Sequence, residues 1–316
     1  MEIRPWTPDD YDARAAIHNA IYPRHQRTVD QMRQEDQTWD RQFVRELVVM
    51  EQDEEVVGYG LYQHTPGMFH PRKFLIGVYV QPRLHGQGFG KALYNHLMAE
   101  LHHHDPTMVR SVTFEDQERG VRFLGERGFH EERRFWESRL DVTAWNPEPF
   151  AHIPALVQQQ GLEIKALREL QRDEGWSRKL FDLICAVERS MPTPEPITHD
   201  YERWLATRMS SPDLRPDSYF VALHAGEYVG LSSLWASQAD TYLWTGLTGV
   251  KPAYRRRGIA LALKLRSIDY ARQHGHPVIV TDNEAGNRPM LAINERLGFA
   301  RGVAELWLRK VFQEAA

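Results

Sequence analysis

Apolar positions along this chain follow two rhythms in turn, a period of two and a period near 3.6, and the sequence of rhythms occurs twice. In the first half, residues 3–6, 47–50, 56–62, 74–80 and 109–114 read as strands, and 129–142 contains another. Asp53-Glu54-Glu55, between two of these runs, marks a hairpin. Helices are expected at 88–101 and 117–127, and Thr7-Pro8-Asp9-Asp10 opens an earlier one with Thr as N-cap and Pro in the first turn. The second half gives strands at 162–166, 243–250, 278–281 and 299–308, and a hairpin from 219–223 and 228–234. Its helices fall at 177–189, 199–209, from Ile259, and at 287–296.

The repetition is written in the residues themselves. Val80-Gln81-Pro82-Arg83-Leu84-His85-Gly86-Gln87-Gly88-Phe89-Gly90 matches Val250-Lys251-Pro252-Ala253-Tyr254-Arg255-Arg256-Arg257-Gly258-Ile259-Ala260 at an offset of 170 residues (250 − 80). Gly128-Phe129 returns as Gly298-Phe299 at the same offset. Two separated landmarks with one offset imply duplicated domains, which the length of 316 residues accommodates. Domains are expected at 1–143 and 161–316, with 144–160, which holds Pro147, Pro149 and Pro154, as a linker. Each domain reads as a mixed α/β (α+β) sheet flanked by helices.

Composition narrows the class. Hydrophobic residues make up 42% and charged residues 26%, as in ordinary globular proteins. A net charge of −4 supplies no global field for nucleic acid or anionic lipid. No apolar run reaches the ~20 residues needed to span a bilayer, and the first residues lack a secretory pattern. Cys185 is the single cysteine, so no internal disulfide forms, and it reads as a buried thiol of an apolar helix. These features point to a cytoplasmic protein without nucleic-acid or membrane partners.

The chemistry lies in the glycine loops. In 250–263 an apolar strand ends, Pro252 stops its pairing, and an Arg-rich bend opens a helix at Gly258. The first amides of a helix have no internal partners, and the helix dipole adds about half a positive charge. Gly258 and Ala260 leave room for a phosphate to approach, and Arg255 and Arg257 can add charge-assisted bonds. The spacing fits neither G-x-x-x-x-G-K-[ST] nor a Rossmann turn, so the ligand of this phosphate site stays open on the loop alone.

Arg255-Arg256-Arg257-Gly258-Ile259-Ala260, with Val250-Lys251-Pro252 before it, resembles the R/Q-x-x-G-x-G/A signature of the GNAT superfamily of acetyltransferases. Thr281-Asp282-Asn283, Asn287-Arg288-Pro289-Met290 and Asn294-Glu295-Arg296-Leu297-Gly298-Phe299 are similar to its second motif, and the resemblance covers nearly the whole chain in two tandem domains. It implies, for each domain, a mixed, mostly antiparallel twisted sheet whose fourth and fifth strands part to admit the arm of acetyl-CoA, the co-substrate. It further implies that Thr248, Gly249 and Val250 hold that arm, and that Arg255, Arg256, Arg257, Gly258, Ile259 and Ala260 hold the diphosphate. Asn287 and Asn294 would bond the arm as it leaves. In the first copy the corresponding set is Val80, His85, Gly86, Gln87, Gly88, Phe89 and Gly90.

The copies differ. His85 stands where the signature asks for Arg or Gln, and Gln117 where the second copy has Asn287. Leu124 and Asn294 occupy the place of a tyrosine that, in many relatives, protonates the departing thiolate. The second copy therefore keeps more of the pattern and is expected to catalyse. Acyl transfer to an amine needs a neutral nucleophile, a polarised carbonyl and a proton for sulfur. Gly249 and Val250 amides are candidates for the carbonyl, Asp282 for the base (with Glu115 as its rough first-copy counterpart), and Tyr254 for the acid.

The rest reads as structure. His102-His103-His104 on a helix end point in different directions and form no metal site. Residues 69–73 and Pro192-Thr193-Pro194-Glu195-Pro196 are connectors near the acceptor side. The expected activity is transfer of an acetyl group from acetyl-CoA to an amine of a small molecule. A CoA-binding sensor without turnover, a longer acyl group, or a peptide acceptor are the alternatives.

Overall fold

The computed structural model describes residues 1–191, 193–211, 213–236 and 242–312. They form two compact units: Met1–Arg134 with the stretch from Glu305 onward, and Phe135–Ala304.

The first unit runs β1 (Glu2–Pro5), α1 (Tyr11–Ile21), α2 (Val29–Gln37), β2 (Arg45–Gln52), β3 (Glu55–Gln63), β4 (Lys73–Val80), α3 (Phe89–Leu101), β5 (Met108–Phe114) and α4 (Glu118–Gly125), followed by the start of β6 (His130–Asp141). The second continues with α5 (Ile153–Gln159), β7 (Leu162–Ala166), α6 (Leu167–Leu170), α7 (Trp176–Glu188), α8 (Tyr201–Trp204), β8 (Leu214–His224), β9 (Glu227–Ala236), β10 (Leu243–Val250), α9 (Ile259–Gln273), β11 (Val278–Glu284) and α10 (Arg288–Leu297). β12 (Ala300–Val311) closes the chain.

In the first unit β1–β2, β2–β3 and β3–β4 pair antiparallel and β4–β5 parallel. In the second, β7–β8, β8–β9 and β9–β10 pair antiparallel and β10–β11 parallel. Each parallel pair is bridged by a helix, α3 or α9, because a parallel crossover needs a long connection. The hairpin turns are of the primed kind: Asp53 and Glu54 have φ of 50° and 64°, and Ala225 and Gly226 have 49° and 81°. That geometry matches strand twist and fixes the register, so the apolar residues of β2, β3, β8 and β9 face inward.

Three expectations differ from the structure. The last strand of each half is exchanged: Glu305–Val311 of β12 pairs with β5, and Phe135–Asp141 of β6 pairs with β11. The unit boundary accordingly falls at 134/135, not at 143. Residues 144–160 are not a free linker, since Phe150, Ile153 and Val157 are buried in the core under α9. Each such burial contributes about 2 kcal/mol, enough to hold so short a helix that propensity alone would not. Third, 199–209 forms only the single turn α8 and a π-helical turn, Leu205–Met209. Pro192 lies outside the described residues, and no helix among them is long and apolar enough to cross a membrane.

Candidate active site

The second unit carries a cleft of about 1520 Å³ where β10 and β11 part. Their parallel pairing holds for Leu243–Ile279 and Trp244–Val280, then stops. On its other edge β10 is irregular: its register with β9 shifts between Thr245 and Thr248. Gly246 sits in that bulge, where a Cβ would come within 2.4 Å of the Trp235 indole nitrogen, so only glycine lets the ring lie there. Gly249 is needed for the same reason against α7, because a Cβ would stand 2.2 Å from a Val187 methyl.

Strand alternation decides which β10 groups face the gap. Lys251 N–H bonds the Val229 carbonyl on β9, so Gly249 also turns its amide toward β9, and Thr248 and Val250 turn theirs toward β11. Of the two amides expected to polarise a carbonyl, that of Val250 faces the gap and that of Gly249 faces β9. Val250 carbonyl accepts from Arg255 Nε at 3.1 Å, and the same guanidinium bonds Ser190 Oγ at the end of α7. Arg255 thus ties the loop to both walls of the cleft.

The loop that follows is a row of donors. Arg256 has φ of 61° and Gly258, the N-cap of α9, has 81°, with no side chain capping the helix. Among the described residues the amides from Arg256 to Ala260 make no backbone hydrogen bond. Holding Arg256 in the left-handed region costs on the order of 1 kcal/mol, and the reversal it makes is what aligns those amides. Free amides, a helix dipole and two flanking guanidiniums form an anion site that suits a diphosphate.

Thr248, Gly249, Val250, Tyr254, Arg255, Arg256, Gly258, Ile259, Ala260, Asp282 and Asn287 all line this one cleft. Arg257 and Asn294 do not. Arg257 lies over the Tyr254 ring at 5.1 Å, and its carbonyl accepts from Gln160. Asn294 is 2% exposed and donates to Asn283 Oδ1, a contact inside α10 and β11. Asn287 caps α10 through Met290 N–H, which leaves its amide nitrogen to the cleft. Tyr254 donates its hydroxyl to Glu227 at 2.9 Å, and that bond raises the phenol above its ordinary range. Tyr254 thus lines the cleft with its hydroxyl committed to Glu227. Asp282 pairs across the strand with Glu137, and its first-unit equivalent is Val112, which pairs with Trp307. Glu115 is therefore not its counterpart; it is ion-paired with Arg134.

Two contributors have no signal in the motifs. Ser190 meets Arg255 only because α7 ends beside the loop. Lys264 on α9 lines the cleft although it is 3% exposed.

The first unit has the same loop. His85 Nε2 donates to the Val80 carbonyl at 2.8 Å, the bond that Arg255 makes to Val250. Gly86 and Gly88 take φ of 82° and 95°, and Phe89 begins α3. Gln87 spends its amide on the Leu84 carbonyl, and a Cβ on Gly90 would touch the Phe123 ring. β4 and β5 also part after Leu75–Arg110, yet β4 stays in register with β3. Tyr79, at the position of Gly249, stacks on Tyr59 at 4.4 Å, while Tyr22 meets Tyr79 and Phe114 edge-on. His25 stacks on Phe114 at 4.4 Å. Burial raises the Tyr22 phenol. The triple histidine, 102–104, forms a short turn where His104 rests against Tyr62 and Phe74.

The geometry in both units is that of one family. The sequence pattern described as "Acetyltransferase (GNAT) family" matches residues 10–129 and 180–299, and the chain belongs to that family, once in each half. Among curated proteins it is similar to the mycothiol acetyltransferases of Streptomyces scabiei, at 25% identity over 85% of this chain and 80% of that one, and of Thermobifida fusca, at 26% over 81% and 78%. Among solved structures it resembles a tandem GNAT protein from the clavulanic acid biosynthesis pathway, with TM-score 0.77 and 16% identity over 100% of this chain and 99% of that one. A GCN5-related N-acetyltransferase from Sphaerobacter thermophilus gives TM-score 0.71 and 19% identity over 100% and 96%. At such identities the structural likeness speaks to fold alone.

Proposed function

We propose that the second unit binds acetyl-CoA and transfers its acetyl group to an amine of a small molecule. The observation that carries this reading is the free amide row from Arg256 to Ala260, opening on the gap between β10 and β11. Arg256, Gly258, Ile259 and Ala260 hold the diphosphate, with Arg255 adding charge. Thr248 and Val250 hold the arm as an extra strand would be held. Acetyl-CoA bound there would supply an activated acyl thioester.

Val250 N–H polarises the acyl carbonyl, a contribution worth about 3 kcal/mol for one oxyanion donor. Asp282 takes a proton from the acceptor amine. The acceptor enters from the bulge side, where Trp235, Trp244, Thr207, Arg208 and Asp213 line the cleft. The names of the curated relatives support a small-molecule acceptor. The single cysteine, its thiol raised by burial in α7, suits a reducing compartment, the cytoplasm.

Isothermal calorimetry with acetyl-CoA, followed by a thiol-release screen of small amines, tests the reading. One coenzyme site per chain and thiol release with some amines are expected. Binding with no turnover over a broad panel would make the protein a coenzyme sensor, and no binding would overturn the assignment.

A further inference from the structure

Buried lysines without a partner are costly, and the second unit keeps one in its cleft. Lys264 is six residues beyond Gly258, about 9 Å along α9. Its side chain makes no hydrogen bond or ion pair among the described residues. It lies over the Phe299 ring at 5.0 Å. The first-unit equivalent is Tyr94, which sits against Phe129 in the same manner. An apolar side chain would fill this core position at no cost, so the amine is there for something it meets in the cleft.

Its place along the cleft says what. The amide row marks the end that takes phosphate. Lys264 lines the same cleft as Asp282, which is two residues past Val280, the last β11 residue paired with β10. A molecule anchored by its diphosphate at the loop brings its far end to where the strands part. In coenzyme A that end is the sulfur.

We propose that Lys264 is the group that faces the coenzyme sulfur and supplies its proton. This rests on the reading of the second unit as the acetyl-CoA site. As the amine nitrogen forms its bond to the acyl carbon, the C–S electron pair passes to sulfur. Lys264 gives one ammonium proton to that sulfur, and the proton shed by the nitrogen leaves through Asp282 to water and restores Lys264. Desolvation supports the role, because it lowers the Lys264 ammonium to about 8, close to the ~8.5 of a free thiol. The charged groups sharing the cleft are Asp282, Arg296, Arg255, Arg256, Arg208 and Asp213.

The test needs no acceptor. Affinities for coenzyme A and for desulfo-coenzyme A are measured by calorimetry at pH 8, with thiolate absorbance of the bound thiol followed against pH. The wild-type protein should prefer coenzyme A by about tenfold, with its thiol ionising below the free value. Lys264→Met should bind both ligands alike, at the wild-type affinity for the desulfo form, and should melt no lower than wild type. Lys264→Arg should keep the preference and hold the bound thiol as thiolate throughout neutral pH, since a guanidinium does not give up its proton. A wild type that binds both alike, or a Met variant that keeps the preference, overturns the role of Lys264 and leaves the coenzyme site standing. A wild type that binds neither removes the coenzyme reading as well.

Discussion

Gly249 and Tyr79 hold equivalent positions in two copies of one fold, and around them the copies diverge. In the second unit the missing side chain lets α7 close on β10, and the bulge beside it leaves the gap between β10 and β11 lined by backbone. In the first unit Tyr79 puts a ring at the equivalent place, where it meets Tyr59 and Tyr22, while Phe114 at the end of β5 meets Tyr22 and His25. The loops themselves are nearly alike, down to the bond from His85 or Arg255 to the strand before it. The contrast between the units therefore lies in what each loop opens onto.

Four experiments can break or sharpen this contrast. The largest effect is expected from Tyr79→Ala, which removes a packed ring and should cost about 3–5 kcal/mol in chemical denaturation while acetyl-CoA affinity stays unchanged. A drop in affinity would mean that the first unit binds the coenzyme too. Next, Gly258→Val forces a branched side chain into φ of 81° and against Leu156 and Val157 of α5, which disturbs the donor row that Gly258 shapes, and should weaken acetyl-CoA at least about 100-fold by calorimetry. Gly88→Val imposes the same strain in the first unit and should change affinity by less than about twofold. Equal losses would end the asymmetry. Arg255→Ala should cost about tenfold in affinity, the order of one charge-assisted bond, and His85→Ala none.

The smallest effect separates His18 from Glu188, its equivalent 170 residues on. Burial lowers His18 to about 4, so the fold favours its neutral form. The stability this gives is present above the ordinary value of 6.5 and is lost as pH falls toward 4, about 1 kcal/mol over the first unit below 6.5. Burial raises Glu188, so its favourable contribution exists below the ordinary carboxyl value and is lost as pH rises through the raised one. Denaturant midpoints should then rise at pH 7 for Glu188→Gln and stay level in acid, while His18→Gln should gain only in acid. Parallel pH responses from both variants would contradict the assignment of opposite charge preferences.

Much of this was legible in residues, and the reasons for the gaps are physical. Strands 74–80 and 243–250 and the helices after them are strongly periodic and bounded by Pro and Gly, so they stand where the pattern puts them. α2 buries only Met32 and has no apolar stripe to reveal it, and its one local signal is the capping box of Thr28 and Gln31. The motif placed Asn294 and the Arg257 guanidinium in the site by spacing, but spacing does not say which way a side chain turns; of Arg257 only the backbone amide stays in the row. The aromatic cluster of the first unit has no local signal because Tyr22, Tyr79 and Phe114 are far apart along the chain. A single lysine inside an apolar helix, as Lys264 is, reads as surface.

The exchange of β6 and β12 has a consequence for how this protein can be taken apart. The seam visible in its sequence, near residue 143, is not a place to cut. Severed there, the N-terminal piece would lack the strand that covers β5, and the C-terminal piece the strand that covers β11. Each would present a bare row of amides and carbonyls, an invitation to aggregation. Duplication made this gene divisible on paper, and the swapped strands bind its products into a single inheritance.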